Sequence, residues 1–568
     1  MTDPLLRSPT SRAVLLAGAS LVAIAPFFWW GSPSGHDFEF HVYSWMEVLS
    51  QWKHGIVYPR WAALSQWGYG EARFLFYPPA SWTVGAALGA ILPWKAVPGA
   101  YCWIVLTLAG ASMYGLAREW LLPADALFAA VFYALNPYHL LIVYWRSAYA
   151  ELLAAVLVPL LLLRLLRLQE SGSRPVLWLS LVLAASWLTN APAAVMIQYS
   201  TAGLVLILVV HGAAVRSLLN PQAWRLLLRT ALALLLGAGL VAFYLIPAIY
   251  EQGWVNIGQV LSPGVRPQDN FLFTTIADPD HNHFNLLVSF IALAEIIVLV
   301  FAIRFSKQKK PTGVADRSPW MLLSIWGAGS AVLMFSASNF LWQHLPKFRF
   351  VQLPFRWLLC LNAALAVLLT LATKRWTSRL LACGFLLATI FVAGYHFQHP
   401  WWDTAADIRE MKNAIADGIG YEGTDEYVPA GADAYELNKK LPRVSDTTGA
   451  PVPSQILTWG AMEKHFKVHV GTAEEVTVRL FNYPAWAVAV NGTPTETRTS
   501  DVAGLMLVPL AAGDDDVRIY FRRTNDRLVG MIVSLVSLIL VILVWLRAVL
   551  TDGRLLNPPA RTLVNPAA

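Results

Sequence analysis

Long apolar runs recur along the chain and are separated by short polar segments in which arginine and lysine are frequent. Many runs approach the roughly 20 residues that an α-helix needs to cross a bilayer. They predict about twelve membrane-spanning helices, with both chain ends on the cytoplasmic side. The predicted spans are residues 13–30, 97–117, 127–140, 151–168, 176–188, 194–210, 226–249, 284–301, 321–336, 355–372, 380–397 and 528–546.

One further apolar segment, residues 80–92, is short for a span and is followed by Pro93, which ends helices. If this segment lies along the outer surface, every basic cluster between the spans falls on the cytoplasmic side, as the positive-inside rule requires. These clusters are Arg118, Arg164 to Arg174, Arg216 to Arg229, Arg304 to Lys310 and Lys374 to Arg379. We therefore predict that residues 80–92 do not cross the membrane and that residues 31–96 form an outer loop.

The pattern changes between residues 398 and 527, where acidic residues, glycine and threonine become frequent. Strict alternation of apolar and polar residues at 476–480, 486–490 and 517–521 predicts strands, and Asn491-Gly492 predicts a tight turn between two of them. We predict a transmembrane module over residues 1–397, an extracytoplasmic domain over 398–527 that is helical first and β-sandwich-like later, and a final helix with a cytoplasmic tail over 528–568.

Composition supports this all-α polytopic fold class with an added mixed α/β domain. Of 568 residues, 57% are hydrophobic and 14% are charged, which excludes an ordinary soluble protein of this size. The net charge of +7 comes from clusters between spans and does not indicate nucleic-acid binding. The three cysteines have no metal-ligand spacing. No internal repeat is visible, so a transporter with inverted repeats has no support.

The outer loop begins with ionisable side chains, Asp37, Glu39 and His41, directly after the first apolar run. Charged groups at the mouth of a membrane protein often line a pathway or a reaction centre. An ordinary hydrated loop is the alternative. His41 shares a helix face with Asp37, so it could orient the carboxylate, bind a metal or satisfy a loop carbonyl.

Other polar groups lie at the predicted outer ends of later spans. Glu151 begins a helix after Arg146, where it could serve a site or stabilise the helix N-terminus. Two acidic residues and two histidines, Asp278, Asp280, His281 and His283, form a weak candidate metal site, with a plain helix start as the alternative. Arg349 and Arg356 depart from the positive-inside pattern and suit phosphate recognition, unless they only reach toward lipid headgroups.

Several short segments occur in an order that resembles a known family of membrane enzymes. They are Gly35-His36-Asp37, Tyr58-Pro59-Arg60-Trp61, Phe76-Tyr77-Pro78-Pro79, Tyr144-Trp145-Arg146 with Glu151, the stretch from Pro346 to Trp357, Glu426-Tyr427-Val428-Pro429 and Asn482-Tyr483-Pro484-Ala485-Trp486. The chain resembles the GT-C-fold glycosyltransferases. It is most similar to the bacterial membrane proteins named as pyruvoyl-tetrahydropterin-synthase-related, and to those that glycosylate lipoteichoic acid. Nothing in the sequence suggests a pterin site.

This resemblance implies an inverting glycosyltransferase in the cytoplasmic (inner) membrane, with its active site on the extracytoplasmic side. It would move a sugar from a polyprenyl-phosphate donor to a glycan, lipid or protein acceptor of the cell envelope. Asp37 matches the family's catalytic acidic residue, and Glu39 is the second choice. A divalent metal ion is the only cofactor that is left open.

Four arginines are the candidates for binding the donor phosphate: Arg356, Arg349, Arg146 and Arg60. Glu151 and His41 would support the site. Two other classes of function are compatible with the sequence: a lipid or glycolipid flippase, and a non-catalytic carbohydrate-binding scaffold.

Overall fold

The computed structural model of the chain describes residues 8–212, 221–307, 319–501 and 503–552. The residues Arg216, Lys309, Lys310, Arg554 and Arg561, which belong to the predicted cytoplasmic clusters and tail, lie outside the described residues. The first half contains helices α1 Pro9–Ala23, α2 Phe27–Trp30, α3 Phe38–Lys53, α4 Ser65–Gly68, α5 Arg73–Phe76, α6 Pro79–Ile91, α7 Val97–Ala117, α8 Pro123–Ala134, α9 Pro137–Leu141, α10 Tyr149–Ala154, α11 Leu157–Arg167, α12 Arg174–Thr189, α13 Ala191–Gly212, α14 Pro221–Leu240 and α15 Ala242–Tyr250.

The second half begins with further apolar helices and ends with one. These are α16 Pro279–Ser306, α17 Trp320–Val332, α18 Asn339–His344, α19 Leu358–Ala372, α20 Trp376–His396, α21 Ala405–Ala416 and α22 Asn525–Asp552. Helix α19 is buried along its whole length, whereas α22 exposes almost all of its apolar surface. An exposed apolar helix of this length is suited to contact with lipid.

Nine helical segments of the described chain are long and apolar enough to cross a membrane. They are Trp94–Ala117, Pro123–Arg146, Tyr149–Arg167, Ala191–Val210, Pro221–Leu240, Pro279–Ser306, Pro354–Ala372, Trp376–His396 and Asn525–Val549. A tenth candidate is the pair Trp320–Val332 and Ser336–His344, which is bent by 96°. The predicted fold class, a polytopic helical membrane protein with a β-rich part near its C-terminus, is confirmed.

The remaining two predicted spans correspond to shorter apolar helices, α1 and α12, of 15 and 16 residues. A helix of that length extends only about 22–24 Å, less than the roughly 30 Å hydrocarbon layer. This explains why the sequence predicts about twelve spans while the length criterion accepts nine or ten. Helix α6 has 13 residues, and its place along the outer surface remains a prediction.

The β-rich part lies between residues 444 and 521. The strands of the described chain are β1 Ser32–Pro33, β2 Trp402–Asp403, β3 Val444–Ser445, β4 Ser454–Trp459, β5 Glu463–Val470, β6 Glu474–Phe481, β7 Trp486–Val490, β8 Thr493–Thr495, β9 Arg498–Thr499, β10 Leu505–Leu510 and β11 Gly513–Phe521. Strands β3 to β11 form two antiparallel sheets, in the orders β3-β6-β10-β9 and β4-β5-β11-β7-β8. Buried residues from both sheets, such as Val478 and Val517, share one core, as in a sandwich.

The tight turn predicted at Asn491-Gly492 is present. It joins β7 to β8, and both residues have positive φ angles, 50° and 79°. A two-residue hairpin turn requires this backbone conformation, which asparagine and glycine tolerate.

The outer loop and the β-rich part pack against each other. The indole of Trp61 is fully buried, and its ring centre lies 5.4 Å from Tyr483 and 5.7 Å from Trp486. Nearby, the carboxylate of Glu251 accepts two hydrogen bonds from Arg527, both of 2.7 Å, and one from Tyr483 of 2.5 Å. The motif Asn482 to Trp486 therefore anchors the sandwich on the membrane module.

Candidate functional site

Asp37 lies in a loop that docks on the chain around Arg146. The backbone N–H of Asp37 donates to the carbonyl of Arg146 at 2.8 Å, and that of Gly35 donates to Ser147 Oγ at 3.0 Å. A Cβ atom at Gly35 would lie 2.5 Å from the carbonyl carbon of Arg146, so only glycine allows this approach. Ser147 adopts φ +49° at the same point. The backbone itself therefore sets the position of Asp37.

A second clamp holds the same loop. The short strand pair β1–β2 aligns Ser32 with Asp403 and Pro33 with Trp402, and Ser34 N–H donates to the carbonyl of Trp401 at 2.7 Å. The loop that precedes Asp37 is thus tied to the chain that leads into α21.

Three segments that are distant in sequence bring four candidate residues together, and we call them the Asp37 cluster: Asp37, Arg146, Glu151 and Arg356. Arg146 Nη2 lies 3.8 Å from Asp37 Oδ2, and its Nη1 pairs with Glu151 Oε2. Arg356 Nε lies 3.0 Å from the same Glu151 oxygen. Glu151 thus links two guanidinium groups, one of which faces Asp37.

Exposure differs sharply within the Asp37 cluster. The side chains of Glu151 and Arg146 are 1% and 5% exposed, and that of Arg356 is 9% exposed, whereas Asp37 is 28% exposed. Two buried cations face one buried anion, Glu151, and one partly exposed anion, Asp37. Asp37 is therefore the member of the cluster that an incoming molecule reaches first.

The elements that carry the cluster explain how it forms. Arg146 ends a π-helical turn, Ile142–Arg146, which is the last turn of the span Pro123–Arg146, and π-turns are frequent at functional sites. Glu151 lies in the first turn of α10, and its other oxygen accepts a hydrogen bond from the Tyr138 hydroxyl. The end of the π-helical turn and the start of α10 therefore lie at the same end of the membrane module.

Arg356 is fixed by its own loop. It lies in the 3₁₀ turn Pro354–Trp357 that leads into α19. Its Nη1 donates to the carbonyl of Val351 at 2.6 Å and to Gln352 Oε1 at 3.0 Å. Gln352 has φ +64°, which turns the loop back onto the guanidinium. Within the described chain, Nη2 of Arg356 has no hydrogen-bond acceptor and can donate to a ligand.

Asp37 is held as a carboxylate. Burial on its own would raise the pKa of Asp37, but the hydrogen bond with His36 Nδ1 at 2.7 Å and the charges of His36 and Arg146 hold that pKa below its usual range. The same hydrogen bond and the charge of Asp37 raise the pKa of His36 above its ordinary value of 6.5. His36 and Asp37 therefore form a charge-assisted pair at the mouth of the site.

Glu39 and His41 take different positions. Glu39 is exposed on α3, and the charges that act on its carboxylate are those of Asp403 and Glu422. The His41 ring is buried, and its centre lies 5.4 Å from the Tyr149 ring and 5.8 Å from the Tyr77 ring. Burial lowers the pKa of His41 to about 4, so the ring is neutral. Its side chain forms no hydrogen bond with Asp37 in the described chain, and its role as a support remains a prediction.

The remaining two arginines of the predicted phosphate set lie elsewhere. Arg349 is exposed, packs 5.8 Å from the Phe350 ring and lines a different cleft together with Arg266. Arg60 packs 5.1 Å from the Tyr58 ring and lies within electrostatic reach of Glu251 and Arg527. Of the four candidate arginines, Arg146 and Arg356 are those that the structure brings to Asp37.

The predicted metal ligands Asp278, Asp280, His281 and His283 do not form a metal site, and that prediction is corrected. Asp278 instead caps α16, where its carboxylate accepts from the backbone N–H groups of Asp280 at 2.9 Å and His281 at 3.3 Å. His281 Nε2 bonds to the carbonyl of Asp269 at 3.0 Å. Among the described residues, no group of three or more His, Cys, Asp or Glu side chains could hold a metal ion.

The Asp37 cluster does not fit a divalent cation either. Its two carboxylates already face Arg146, Arg356 and His36. A divalent cation at this place would be repelled by these three cationic side chains. Metal sites instead rely on oxygen ligands whose negative charge is not already neutralised. A divalent ion therefore has no part in the steps below.

Sequence reasoning did not assign roles to His36, Tyr138 and Gln352, which contact the cluster directly. His36 belongs to the motif that drew attention to the loop, and its place beside Asp37 is a signal that could have been used. Gln352 likewise lies within the motif stretch Pro346 to Trp357, whereas Tyr138 belongs to no motif, because only the folded chain brings it to Glu151.

Residues 74–398 match the protein family described as "6-pyruvoyl-tetrahydropterin synthase related domain; membrane protein". This match covers more than half of the chain. The chain belongs to this family. The matched range contains Arg146, Glu151 and Arg356, whereas Asp37 precedes it. The expected relationship to this family is confirmed.

The fold has partial similarity to three solved membrane glycosyltransferases. Against arabinofuranosyltransferase AftD from Mycobacteria the TM-score is 0.40 at 16% identity, over 68% of this chain and 26% of AftD. Against the archaeal oligosaccharyltransferase AglB from Archaeoglobus fulgidus, in complex with an inhibitory peptide and a dolichol-phosphate, the TM-score is 0.40 at 16% identity, over 73% of this chain and 56% of AglB. Against ArnT from Cupriavidus metallidurans bound to undecaprenyl phosphate, the TM-score is 0.35 at 15% identity, over 72% of this chain and 76% of ArnT.

The chain thus spans about a quarter of AftD and about half of AglB. The comparison with curated proteins gives no match. Since the TM-scores lie below 0.5, the chemistry of the site has to be argued from its own residues.

Proposed function

We propose that this protein is an inverting membrane glycosyltransferase that moves a sugar from a polyprenyl-phosphate donor to an acceptor hydroxyl of the cell envelope, on the extracytoplasmic face. One observation carries the proposal. A partly exposed carboxylate, Asp37, lies 3.8 Å from a buried arginine, Arg146, which Glu151 links to a second buried arginine, Arg356. A base and a cationic phosphate site are thus adjacent.

Asp37 acts as the general base. An acceptor hydroxyl is a weak nucleophile at neutral pH, and a carboxylate within hydrogen-bond reach takes its proton as the new bond forms. His36 and Arg146 keep Asp37 ionised. The carboxylate is therefore ready to accept the proton without first losing one.

Arg146 and Arg356 hold the leaving phosphate. When the acceptor oxygen attacks the anomeric carbon, the bond from that carbon to the phosphate oxygen breaks and its electron pair leaves with the lipid phosphate. Negative charge grows on the phosphate as this occurs, and fixed guanidinium groups stabilise that charge in the transition state. The planar fork of arginine matches two phosphate oxygens at once.

Glu151 serves as a positioning residue. Its carboxylate, 1% exposed, holds both guanidiniums through charge-assisted bonds and is therefore occupied by them. Retention of the anomeric configuration would require a second carboxylate in the cluster that acts as a nucleophile. Neither carboxylate is available for that role, because Glu151 is bound to the two arginines and Asp37 is needed as the base. This arrangement supports the proposal of a single displacement that inverts the anomeric configuration.

The decisive test uses two matched variants of the purified protein, Asp37→Asn and Glu39→Gln. Each replaces a carboxylate by a carboxamide of the same size, at Asp37 directly before α3 and at Glu39 in its first turn. We expect Asp37→Asn to lower transfer by about 10²- to 10⁴-fold, the usual contribution of general-base assistance, while Glu39→Gln stays near wild type. Turnover would be followed as release of labelled polyprenyl phosphate from a sugar donor that is radiolabelled in its phosphate.

The same assay separates the other classes of function. A flippase would move the donor lipid across a vesicle membrane without releasing polyprenyl phosphate. A scaffold would do neither. Normal transfer by Asp37→Asn with loss in Glu39→Gln would move the base to Glu39 and refute the assignment made here.

A further inference from the structure

A cleft of about 520 Å³ lies at the far end of α3 from Asp37. We call it the basic cleft, because four cationic side chains, Lys53, Lys95, Arg409 and Lys412, line it. No acidic residue is among its lining residues. All four cations are exposed, and within the described chain none of them forms an ion pair. Such a concentration of unpaired charge favours an anionic ligand.

The floor of the basic cleft is apolar. Leu49, Leu92, Trp94 and Ile408 contribute to it. Gly89 gives the Trp94 ring its place, since a Cβ atom there would lie 2.4 Å from the ring. A cleft with cations at its rim and an apolar floor fits a molecule that has both a negative group and a hydrocarbon part.

Helix α21 presents one face to the cleft. Ala405, Ile408, Arg409 and Lys412 line it and are spaced three and four residues apart, so they share one side of the helix. Asp407 is not on that side, and its carboxylate caps the helix through Thr404. Neither Asp407 nor Glu410, the two acidic residues of α21, is among the residues that line the cleft.

The basic cleft lies where a membrane span begins. Trp94 and Lys95 are the first residues of the span Trp94–Ala117. Tryptophan and lysine at the end of a span mark the level of the lipid headgroups. The opening of the cleft is thus at the height where membrane phosphates lie, whichever side of the membrane this end of the span faces.

We infer that the basic cleft binds the phosphate headgroup of an anionic membrane lipid, with the four cations around the phosphate and the glycerol and upper acyl chains on the apolar floor. The volume is within the range of small-molecule sites. This site is separate from the Asp37 cluster. Helix α3, with 16 residues between the two, is about 24 Å long.

The test measures lipid binding by the full-length protein in a neutral detergent. Short-chain phosphatidylglycerol, short-chain phosphatidylcholine and inorganic phosphate would be titrated separately, with the thermal unfolding midpoint as one readout and lipid adducts in native mass spectrometry as another. We expect phosphatidylglycerol to raise the midpoint and to form adducts, and the other two to do neither.

The double variant Lys95→Gln/Lys412→Gln should weaken phosphatidylglycerol binding by about 25-fold, since each lysine near an anionic lipid contributes roughly fivefold. Its matched control is Lys440→Gln/Lys467→Gln. These two lysines are exposed in the β-rich part and its approach, and the control makes the same change in net charge. The control should bind phosphatidylglycerol as the wild type does.

Other outcomes would overturn the inference. Equal effects of inorganic phosphate and phosphatidylglycerol would show a free-anion site. Equal effects of phosphatidylcholine would show that charge does not matter. Equal weakening in the control would show a general charge effect. If the double variant fails to fold, the single variants Lys53→Gln and Arg409→Gln must each weaken binding about fivefold, and unchanged binding in both would refute the site.

Discussion

Replacement of Arg356 by lysine keeps the positive charge and removes the planar fork. In the wild type, Nε pairs with Glu151 Oε2 at 3.0 Å, and Nη1 donates to Val351 O at 2.6 Å and to Gln352 Oε1 at 3.0 Å. These three bonds hold the guanidinium in place and leave Nη2 without an acceptor in the described chain, so that it can donate to a phosphate. A lysine ammonium is a single point of charge, so it cannot keep the bond to Glu151 and also reach both loop acceptors and the ligand.

The size of the effect follows from the bonds lost. A hydrogen bond to a charged group contributes roughly 1.5–3 kcal/mol. If the variant loses one such bond to the phosphate in the transition state, the rate of transfer falls by about ten- to a hundredfold, since each 1.36 kcal/mol is a factor of ten. Because the phosphate carries more charge in the transition state than in the bound donor, we expect most of this loss in kcat rather than in KM.

The assay is release of polyprenyl phosphate under initial-rate conditions, with donor concentration varied to separate kcat from KM. Arg349→Lys is the control, because Arg349 is exposed and lines a different cleft. It should retain normal kinetics. Both variants should show wild-type thermal unfolding within a few degrees. Near-normal kcat for Arg356→Lys in a folded protein would refute the reasoning, and the phosphate would then have to be held by Arg146 without Arg356.

Two further predictions concern stability and pH. Glu251→Gln should lower the free energy of unfolding, measured by chemical denaturation, by about 3 kcal/mol or more, because it leaves the buried Arg527 without its anion. The control Glu475→Gln, which removes the anion of the surface pair with Arg498, should lower the same free energy far less. His36→Gln should move the acid limb of the kcat/KM profile to higher pH. Burial raises the pKa of Asp37 and His36 lowers it, so loss of His36 leaves burial less opposed and Asp37 is protonated at a higher pH than in the wild type. An unchanged acid limb would show that Asp37 is not the base.

The sequence was sufficient for the features that depend on local pattern. Helix positions followed from apolar runs, because a helix in lipid must be apolar for about 20 residues whatever surrounds it. The hairpin at Asn491-Gly492 followed from backbone preference alone. These features need no knowledge of distant contacts, and the structure agrees with them.

The candidate site was predictable only in part, because it depends on contacts between distant segments. The chemistry of arginine suggested four phosphate ligands, but chemistry does not show which of them meet. Arg356 reaches Glu151 across 205 positions of the chain, whereas Arg349, only seven positions earlier, turns to the surface. The positive φ of Gln352 lies between them and redirects the chain. A sequence pattern does not predict a positive φ angle at a glutamine.

The same contrast explains the false metal prediction. Asp278 and His281 are close in sequence, and close residues of suitable type resemble a ligand set. In the folded chain, the start of α16 uses the carboxylate of Asp278 to satisfy two backbone N–H groups, which any helix start must do. The Asp37 cluster, by contrast, is built from three segments that are far apart in sequence and yet meet.

The loop that carries Asp37 is held by hydrogen bonds to distant parts of the chain. Gly35 N–H bonds to Ser147 Oγ, Asp37 N–H bonds to the carbonyl of Arg146, and Ser34 N–H bonds to the carbonyl of Trp401. Two segments, residues 146–147 and residue 401, each more than a hundred positions away along the chain, therefore fix one short loop. A general base gains rate only if it is held within hydrogen-bond reach of its proton. The clamps leave the Asp37 carboxylate partly exposed while they fix its backbone, and this combination suits a base that receives acceptors from outside the membrane.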